Sequence, residues 1–559
     1  MSALGVVASG PSADAIEARV PGLVQERFAS RLFGQDSTLW GPDAQAEASI
    51  RLAWVGLPRS SRPLVGEVAA LREQLRAEGV DRVVLCGMGG SSLAPEVICA
   101  TAGVDLVVLD SSDPGMVRSA LVDLDRTVVV VSSKSGSTLE TDSQRRAFQA
   151  AFSELGIDPT SRIVIVTDPG SPLDQEARSG GYRVVNADPD VGGRYSALTA
   201  FGLVPSGLAG ADIEALLDDA EAVADVLAED DDANPALRLG SAMAGTEPLR
   251  DKLVLLEAGS GIVGLPDWAE QLIAESTGKQ GTGILPVVVA SASDPEAAGP
   301  GADTTVVRLT GDDESEDALP TGEAAVDGLV HPDRSEIEVS GPLGAQLLLW
   351  EAATAVAGRL LGINPFDQPD VESAKKAARG LLEAAGSGGD EPAFTEGAVA
   401  VRALGGDWLG PADSVPAALD ALLAQLDSDR GYVAVMAYLD RLADADLAAA
   451  RPQLARRTGR PVTFGWGPRF LHSTGQFHKG GPATGIYLLV TAEPAEDLAI
   501  PGREFTFGQF IAAQAAGDAQ VLAEHGRPVL HLHLTDHDAG LAQITEALSV
   551  RQTSTEGTA

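Results

Sequence analysis

Two hydrophobic periods alternate along this chain. From residue 62, short runs of Val, Ile and Leu without polar interruption, DRVVLCGMG, DLVVLD, RTVVVVSSK and RIVIVTD, are separated by stretches with helical spacing, LVGEVAALREQLRAEG, SLAPEVICATAG and STLETDSQRRAFQAAFSELG. Uninterrupted apolar strands are buried on both faces, which predicts a parallel sheet covered by helices. The style returns after residue 211 in KLVLLEAGS, LPDWAEQLIAESTG, ILPVVVA and GAQLLLWEAATAVAGRLLG. It returns again beyond the linker GSGGDEPA at 386–393, in YVAVMAYL, VTFGWG, GIYLLVTA and PVLHLHL. Residues 1–60 instead read as amphipathic helical turns around GLVQERFASRLF. The predicted class is α/β: a helical arm over 1–60, doubly wound parallel-sheet units over 61–210 and 211–385, and a C-terminal α/β region over 386–559. Ligands belong at the carboxyl ends of such strands.

Composition narrows the classes of partner. The 559 residues carry a formal net charge of −40, which disfavours nucleic acid, since binding to its backbone relies on Lys and Arg displacing counterions. The acidic runs at 229–232 and 311–317 sit among Gly, Pro and Ala and read as solvated loops. An anionic small molecule remains compatible, because charges beyond a screening length of about 8 Å count little; its site must supply local cations. No run of 18 apolar residues occurs and the start MSALGVVASG lacks a basic, apolar leader, so a soluble cytoplasmic protein with no membrane partner is expected. Cys86, in an apolar strand, and Cys99, in the next helix, read as reduced core residues.

The loops concentrate the chemistry. After DRVVLCG, the stretch GMGGSSLAPEV brings Gly87, Gly89, Gly90, Ser91 and Ser92 to a helix start, where exposed amides favour an anion. With Asp110 closing the next strand, the loop also has features of a dinucleotide fingerprint, though Ser92 replaces its third glycine. A phosphate site, a dinucleotide site and a tight turn all fit. VVVVSSKSGSTLET is more telling. Ser133, Lys134, Ser135, Ser137 and Thr138 supply hydroxyls, amides and one ammonium at a helix start, the set that a phosphate monoester needs; capping accounts for only one or two of the hydroxyls. Arg194 follows the glycine pair of VGGRYSALTAFG. Glu275 and Lys279 in AESTGK are either an i, i+4 pair or a base beside a cleft. Lys375 and Lys376 follow NPFDQP, and FLHSTGQFHKGGP holds His472 and His478. His531, His533 and His537 read as a polar strand face and not a metal site, and Arg451, Arg456, Arg457 and Arg460 as a solvated helix face.

GMGGSSLAP, SSKSGSTLET, GGRYS, AESTGK and NPFDQPDVESAKK together resemble, in this order and over about residues 60–385, the sugar-isomerase (SIS) units of the glucose-6-phosphate isomerase family. The tail motif FLHSTGQFHKGGP is similar to the isomerase half of transaldolase/phosphoglucose isomerase fusions, without a transaldolase half here. The resemblance implies an aldose–ketose isomerase acting on glucose 6-phosphate and fructose 6-phosphate, with neither metal nor organic cofactor, and a homodimer. It implies that Gly90 and Ser91 meet the sugar and that Ser133, Lys134, Ser135 and Thr138 grip the phosphate. Glu275 is then the proton shuttle, Arg194 the enediolate-stabilising group, and Lys375 a ring-opening partner. The family's ring-opening histidine stands in a Gly-Gln-His segment between the glutamate and lysine motifs; here the similar Gly475–His478 lies after the lysine and contains Phe477. His478 is the candidate, with His472 and His331 in reserve. Two other readings are a non-catalytic sugar-phosphate sensor and a nicotinamide-dependent dehydrogenase using Asp110.

Overall fold

The computed structural model describes residues 4–311, 334–383 and 391–549. Residues 312–317 of the second acidic run, His331 and residues 386–390 of the linker lie outside them. Three sheets organise the chain. An N-terminal strand β1 (Gly5–Ser9) is followed by β2 (Arg82–Gly87), β3 (Val107–Leu109), β4 (Thr127–Ser132), β5 (Ile163–Thr167) and β6 (Arg183–Asn186). The last five form one parallel sheet in the order β3-β2-β4-β5-β6. Every residue of β4 is buried, as its unbroken valines require.

The second sheet contains β7 (Lys252–Glu257), β8 (Leu285–Val289), β9 (Thr304–Thr310) and β10 (Ser335–Ser340), in the order β1-β10-β9-β7-β8. Its four later strands are parallel, and β1 closes the edge antiparallel to β10. The predicted all-helical arm therefore begins with a strand, and its remaining elements are helical. The third sheet joins β11 (Phe394–Glu396), β12 (Val399–Leu404), β13 (Tyr432–Tyr438), β14 (Val462–Trp466), β15 (Gly485–Ala492) and β16 (Val529–Leu534) in the order β11-β12-β16-β15-β13-β14.

All three sheets share one rule. Strands β2, β7 and β13 are each flanked by the next strand on one side and the one after it on the other. Chain connections leave such a strand in opposite directions, opening a crevice at its carboxyl end. In the first sheet that crevice lies between β2 and β4, so the loops after GMGG and SSKSGS face each other across it.

The units share cores. Val254, Leu256 and Val287 of the second sheet pack in one cluster with Tyr432, Met436, Phe477 and Tyr487 of the third unit. Val131, Phe148 and Ile165 of the first pack with Ile500, Phe507 and Phe510. Two of the four arginines expected on a solvated helix face contribute to this docking instead: Arg451 is buried against Asp294 and Glu296, and Arg460 pairs with Asp303, whereas Arg456 is exposed and Arg457 pairs with Asp420 of its own unit. The acidic run at 229–232 is exposed except at Asp230, which accepts from the Ser30 hydroxyl at 2.6 Å. No described helix is long and apolar enough to cross a membrane.

Candidate active site

The hydroxyl-rich loop joins β4 to the helix Leu139–Glu154. Ser133 is buried and its Oγ accepts from the Gly136 amide at 3.1 Å, while Ser135 and Ser137 are exposed with their Oγ atoms 2.6 Å apart. Thr138 occupies the N-cap position without a side-chain cap hydrogen bond. Helix capping thus does not occupy these hydroxyls, and the loop is open to solvent. Lys134 is turned aside: its Nζ bonds the Pro189 carbonyl at 3.0 Å and pairs with Asp168 at 2.7 Å.

Across the crevice, Gly89 has φ of 54°, a conformation that L side chains rarely adopt, and a Cβ at Gly90 would stand 1.9 Å from the Gly193 carbonyl oxygen. Glycine is required here because three loops converge. Gly193 precedes Arg194, and a Cβ on Gly89 would meet both Gln271 and His472.

Glu275 lies in the last turn of the helix Leu265–Thr277, buried, with Oε2 3.3 Å from Gln271 Nε2 and Oε1 3.7 Å from Arg194 Nη1. The guanidinium is held by four bonds: Nε to Ser276 Oγ at 2.7 Å, Nη1 to Gln368 Oε1 at 3.0 Å, and Nη2 to the carbonyls of Pro365 at 2.7 Å and Asp367 at 3.0 Å. Lys279 makes no hydrogen bond to Glu275. Its fully buried Nζ bonds the Asp367 carbonyl at 2.6 Å and carboxylate at 2.8 Å, and burial, with Arg194 nearby, brings its pKa down to about 8.

Gln271 leads to a histidine, for its Nε2 also bonds the His472 carbonyl at 2.6 Å. The His472 ring places Nε2 3.3 Å from Glu140, a buried carboxylate that also accepts from Gln514 at 2.7 Å. Burial pushes the Glu140 pKa up, but the His472 bond and charge, helped by Lys375, outweigh it and hold the group below its ordinary value. Contacts therefore run from Arg194 through Glu275, Gln271 and His472 to Glu140, two residues beyond Thr138. Lys375, half-buried on the helix Val371–Glu383, reaches the same carboxylate electrostatically.

His478 is not brought to this cluster. Its ring is buried against the third sheet, stacked on Tyr432 with centroids 5.7 Å apart and Nδ1 3.0 Å from the Tyr432 hydroxyl. Burial and the nearby Lys479 and Arg527 drive its pKa well down, so it is neutral. Phe477 fills the same core, and the histidine at the cleft is His472. Asp110 is fully buried and pairs with Arg469 and Arg441 from the third unit, which closes it to a ribose. His531 and His533 share the Thr491 hydroxyl, both at 2.8 Å. Among the described residues no group of three His, Cys, Asp or Glu side chains is placed to hold a metal ion.

No family model matches the chain. A probable glucose-6-phosphate isomerase of Natronomonas pharaonis is 31% identical over 380 residues, which span 62% of this chain and 88% of that protein. The chain belongs to the glucose-6-phosphate isomerase family. A second member, from Rubrobacter xylanophilus, is 28% identical over 377 residues, covering 57% of this chain and 86% of its own. Among solved structures, the hypothetical protein TT0462 of Thermus thermophilus superposes with a TM-score of 0.57 at 25% identity, over 68% of this chain and all of that one. The glucose-6-phosphate isomerase of Chlamydia trachomatis has the same fold, with a TM-score of 0.52 at 20% identity over 67% of this chain and 87% of its own.

Proposed function

We propose that the chain interconverts glucose 6-phosphate and fructose 6-phosphate. The observation that carries this reading is the contact path joining Glu275 and Arg194, through Gln271 and His472, to Glu140 at the start of the helix behind the hydroxyl loop. A carboxylate, a fixed guanidinium and a histidine with a carboxylate partner are the groups an aldose–ketose isomerisation uses.

The loop Ser133–Thr138 binds the phosphate through hydroxyls and amides, while Lys134 stays paired with Asp168. This anchor sets the carbon chain in register, so that C1 and C2 both come within reach of one carboxylate. Ring opening breaks the C1–O5 bond, removes the O1 proton and delivers a proton to O5. His472 and Lys375 handle these two protons. Glu140, ionised, accepts from His472 Nε2–H and so fixes the tautomer that leaves Nδ1 for proton exchange. Glu275 then takes the proton from C2, Arg194 stabilises the negative oxygen of the cis-enediol, the hydroxyl proton passes from O2 to O1, and Glu275 returns its proton to C1. Because Arg194 is already held by Ser276, Gln368 and two carbonyls, it does not reorganise as charge develops, which is where such groups contribute most to rate.

The cytoplasm suits this chemistry and the two buried, unpaired cysteines. The likeness of the tail motif FLHSTGQFHKGGP to the isomerase halves of transaldolase fusions supports placing the chain beside them. The deciding experiment is a dehydrogenase-coupled assay of the purified chain with fructose 6-phosphate, run alongside mannose 6-phosphate as a rival substrate. Turnover of fructose 6-phosphate to glucose 6-phosphate is expected; phosphate-ester binding without turnover would leave a sensor and refute the reading.

A further inference from the structure

The third unit reaches the site through one short segment, and the side chain that organises it is Gln476. It is fully buried and every polar atom of its amide is used. Oε1 accepts from the amides of Asp370 at 3.0 Å and Val371 at 3.2 Å, while Nε2 donates to the Gly278 carbonyl at 3.0 Å and to Asp370 Oδ2 at 2.6 Å. Val371 opens the helix bearing Lys375, and Gly278 closes the helix bearing Glu275. One amide therefore pins the start of the first to the end of the second.

The neighbours of Gln476 reinforce this. The Gly480 carbonyl accepts from Gly281 at 2.9 Å. A Cβ on Gly278 would lie 2.5 Å from Phe477 Cα, so the backbones are in direct contact. At the other end, Arg469 forms ion pairs with Asp110 and Glu96 of the first unit, and His472 between them meets Gln271 and Glu140. The segment after β14 thus bridges the first two units at the crevice.

We infer that the third unit completes the active site in cis: every chain builds a whole site, with His472 supplied by its own C-terminal unit and Gln476 as a positioning residue for Lys375 and Glu275. This rests on the isomerase reading, and it assigns the third unit a function whether or not chains pair. Loss of the Gln476 amide leaves a buried carbonyl, a carboxylate and two helix-start amides unpartnered at once. The consequence is displacement of Lys375 relative to Glu275, which lowers kcat more than it raises KM, since the phosphate loop is untouched.

Two measurements test this. Glu275→Gln and His472→Ala are each expected to be nearly inactive on fructose 6-phosphate and are then co-expressed. A cis site gives no recovery. A site shared between chains would restore about one quarter of wild-type activity, because half of randomly paired dimers would be mixed, each with one intact site; such recovery would overturn the inference and leave the isomerase reading standing. A fully active His472→Ala would overturn it as well, and a wild-type chain without turnover would sink both. Should His472→Ala fail to accumulate, Gln476→Met replaces it in the cross. Separately, Gln476→Glu sets a carboxylate against Asp370, so its kcat falls as pH rises while the wild type holds; a pH profile that overlays the wild type would refute the positioning role.

Discussion

Gly90→Ala is a one-methyl perturbation whose effect follows from the geometry. The added Cβ would lie 1.9 Å from the Gly193 carbonyl oxygen and 2.9 Å from the Arg194 amide nitrogen. A relaxed contact between carbon and oxygen is about 3.3 Å, so the loops must separate by roughly 1.4 Å. Gly193 immediately precedes Arg194, whose guanidinium stands 3.7 Å from Glu275, and the separation is transmitted to that pair. Misplacing a reacting group by about 1 Å costs on the order of 100-fold in rate, or about 2.7 kcal/mol of barrier. The assay is the coupled conversion of fructose 6-phosphate, with kcat and KM separated and folding checked by thermal unfolding. The expected result is a folded protein with kcat down about 100-fold and KM changed far less. A folded Gly90→Ala enzyme with kcat within threefold of wild type would refute the claim that this loop contact sets Arg194.

Glu275→Gln retains phosphate-ester binding, read by calorimetry with fructose 6-phosphate, and loses nearly all turnover; an active variant would remove Glu275 as the base. Ser135→Ala with Thr138→Ala raises KM with little change in kcat, and an unchanged KM would move the phosphate site elsewhere. His478→Phe lowers the melting temperature because it breaks the bond to Tyr432, yet keeps kcat within a few fold; a large kcat loss in a folded variant would return ring opening to His478. Asp142 is opposed by burial, but bonds from Arg145, Arg146 and Arg503 bring its pKa down to about 2. Its stabilisation is therefore present above its ordinary pKa of 3.8 and lost as pH falls through about 2. Asp142→Asn is expected to cost about 1–2 kcal/mol at neutral pH by denaturant unfolding, with the gap to wild type closing between pH 4 and 2; a gap constant with pH would contradict the assignment.

The parts of the site visible in the sequence are those whose chemistry is contiguous. Four hydroxyls and a lysine after a buried valine strand announce themselves, and Glu275 stands in a compact motif. Glu140 lay in the same stretch yet was hidden, because an acid in the first turn of a helix is ordinary for dipole reasons alone. His472 and His478 differ by six positions in a loop of small residues, and which of them faces the crevice depends on the phase of the short helix Gly475–Gly480, where Phe477 and His478 turn to the core. Gln271, Gln476 and Gln514 carry no charge and acquire meaning only from the partners the fold delivers. Strand β1 was illegible for a related reason: Gly5 pairs with Ser340, a contact no local pattern encodes. Arg451 and Arg460 looked like part of a solvated face because their carboxylate partners, Asp294, Glu296 and Asp303, belong to another unit.

The proposed isomerisation rests on one carboxylate, Glu275, moving one proton between neighbouring carbons. Turnover of glucose 6-phosphate deuterated at C2, in ordinary water, tests this directly by following where the label goes. The prediction is a product with deuterium partly at C1 and partly lost to solvent, and no label movement at all with Glu275→Gln. Label movement that persists in Glu275→Gln would contradict it.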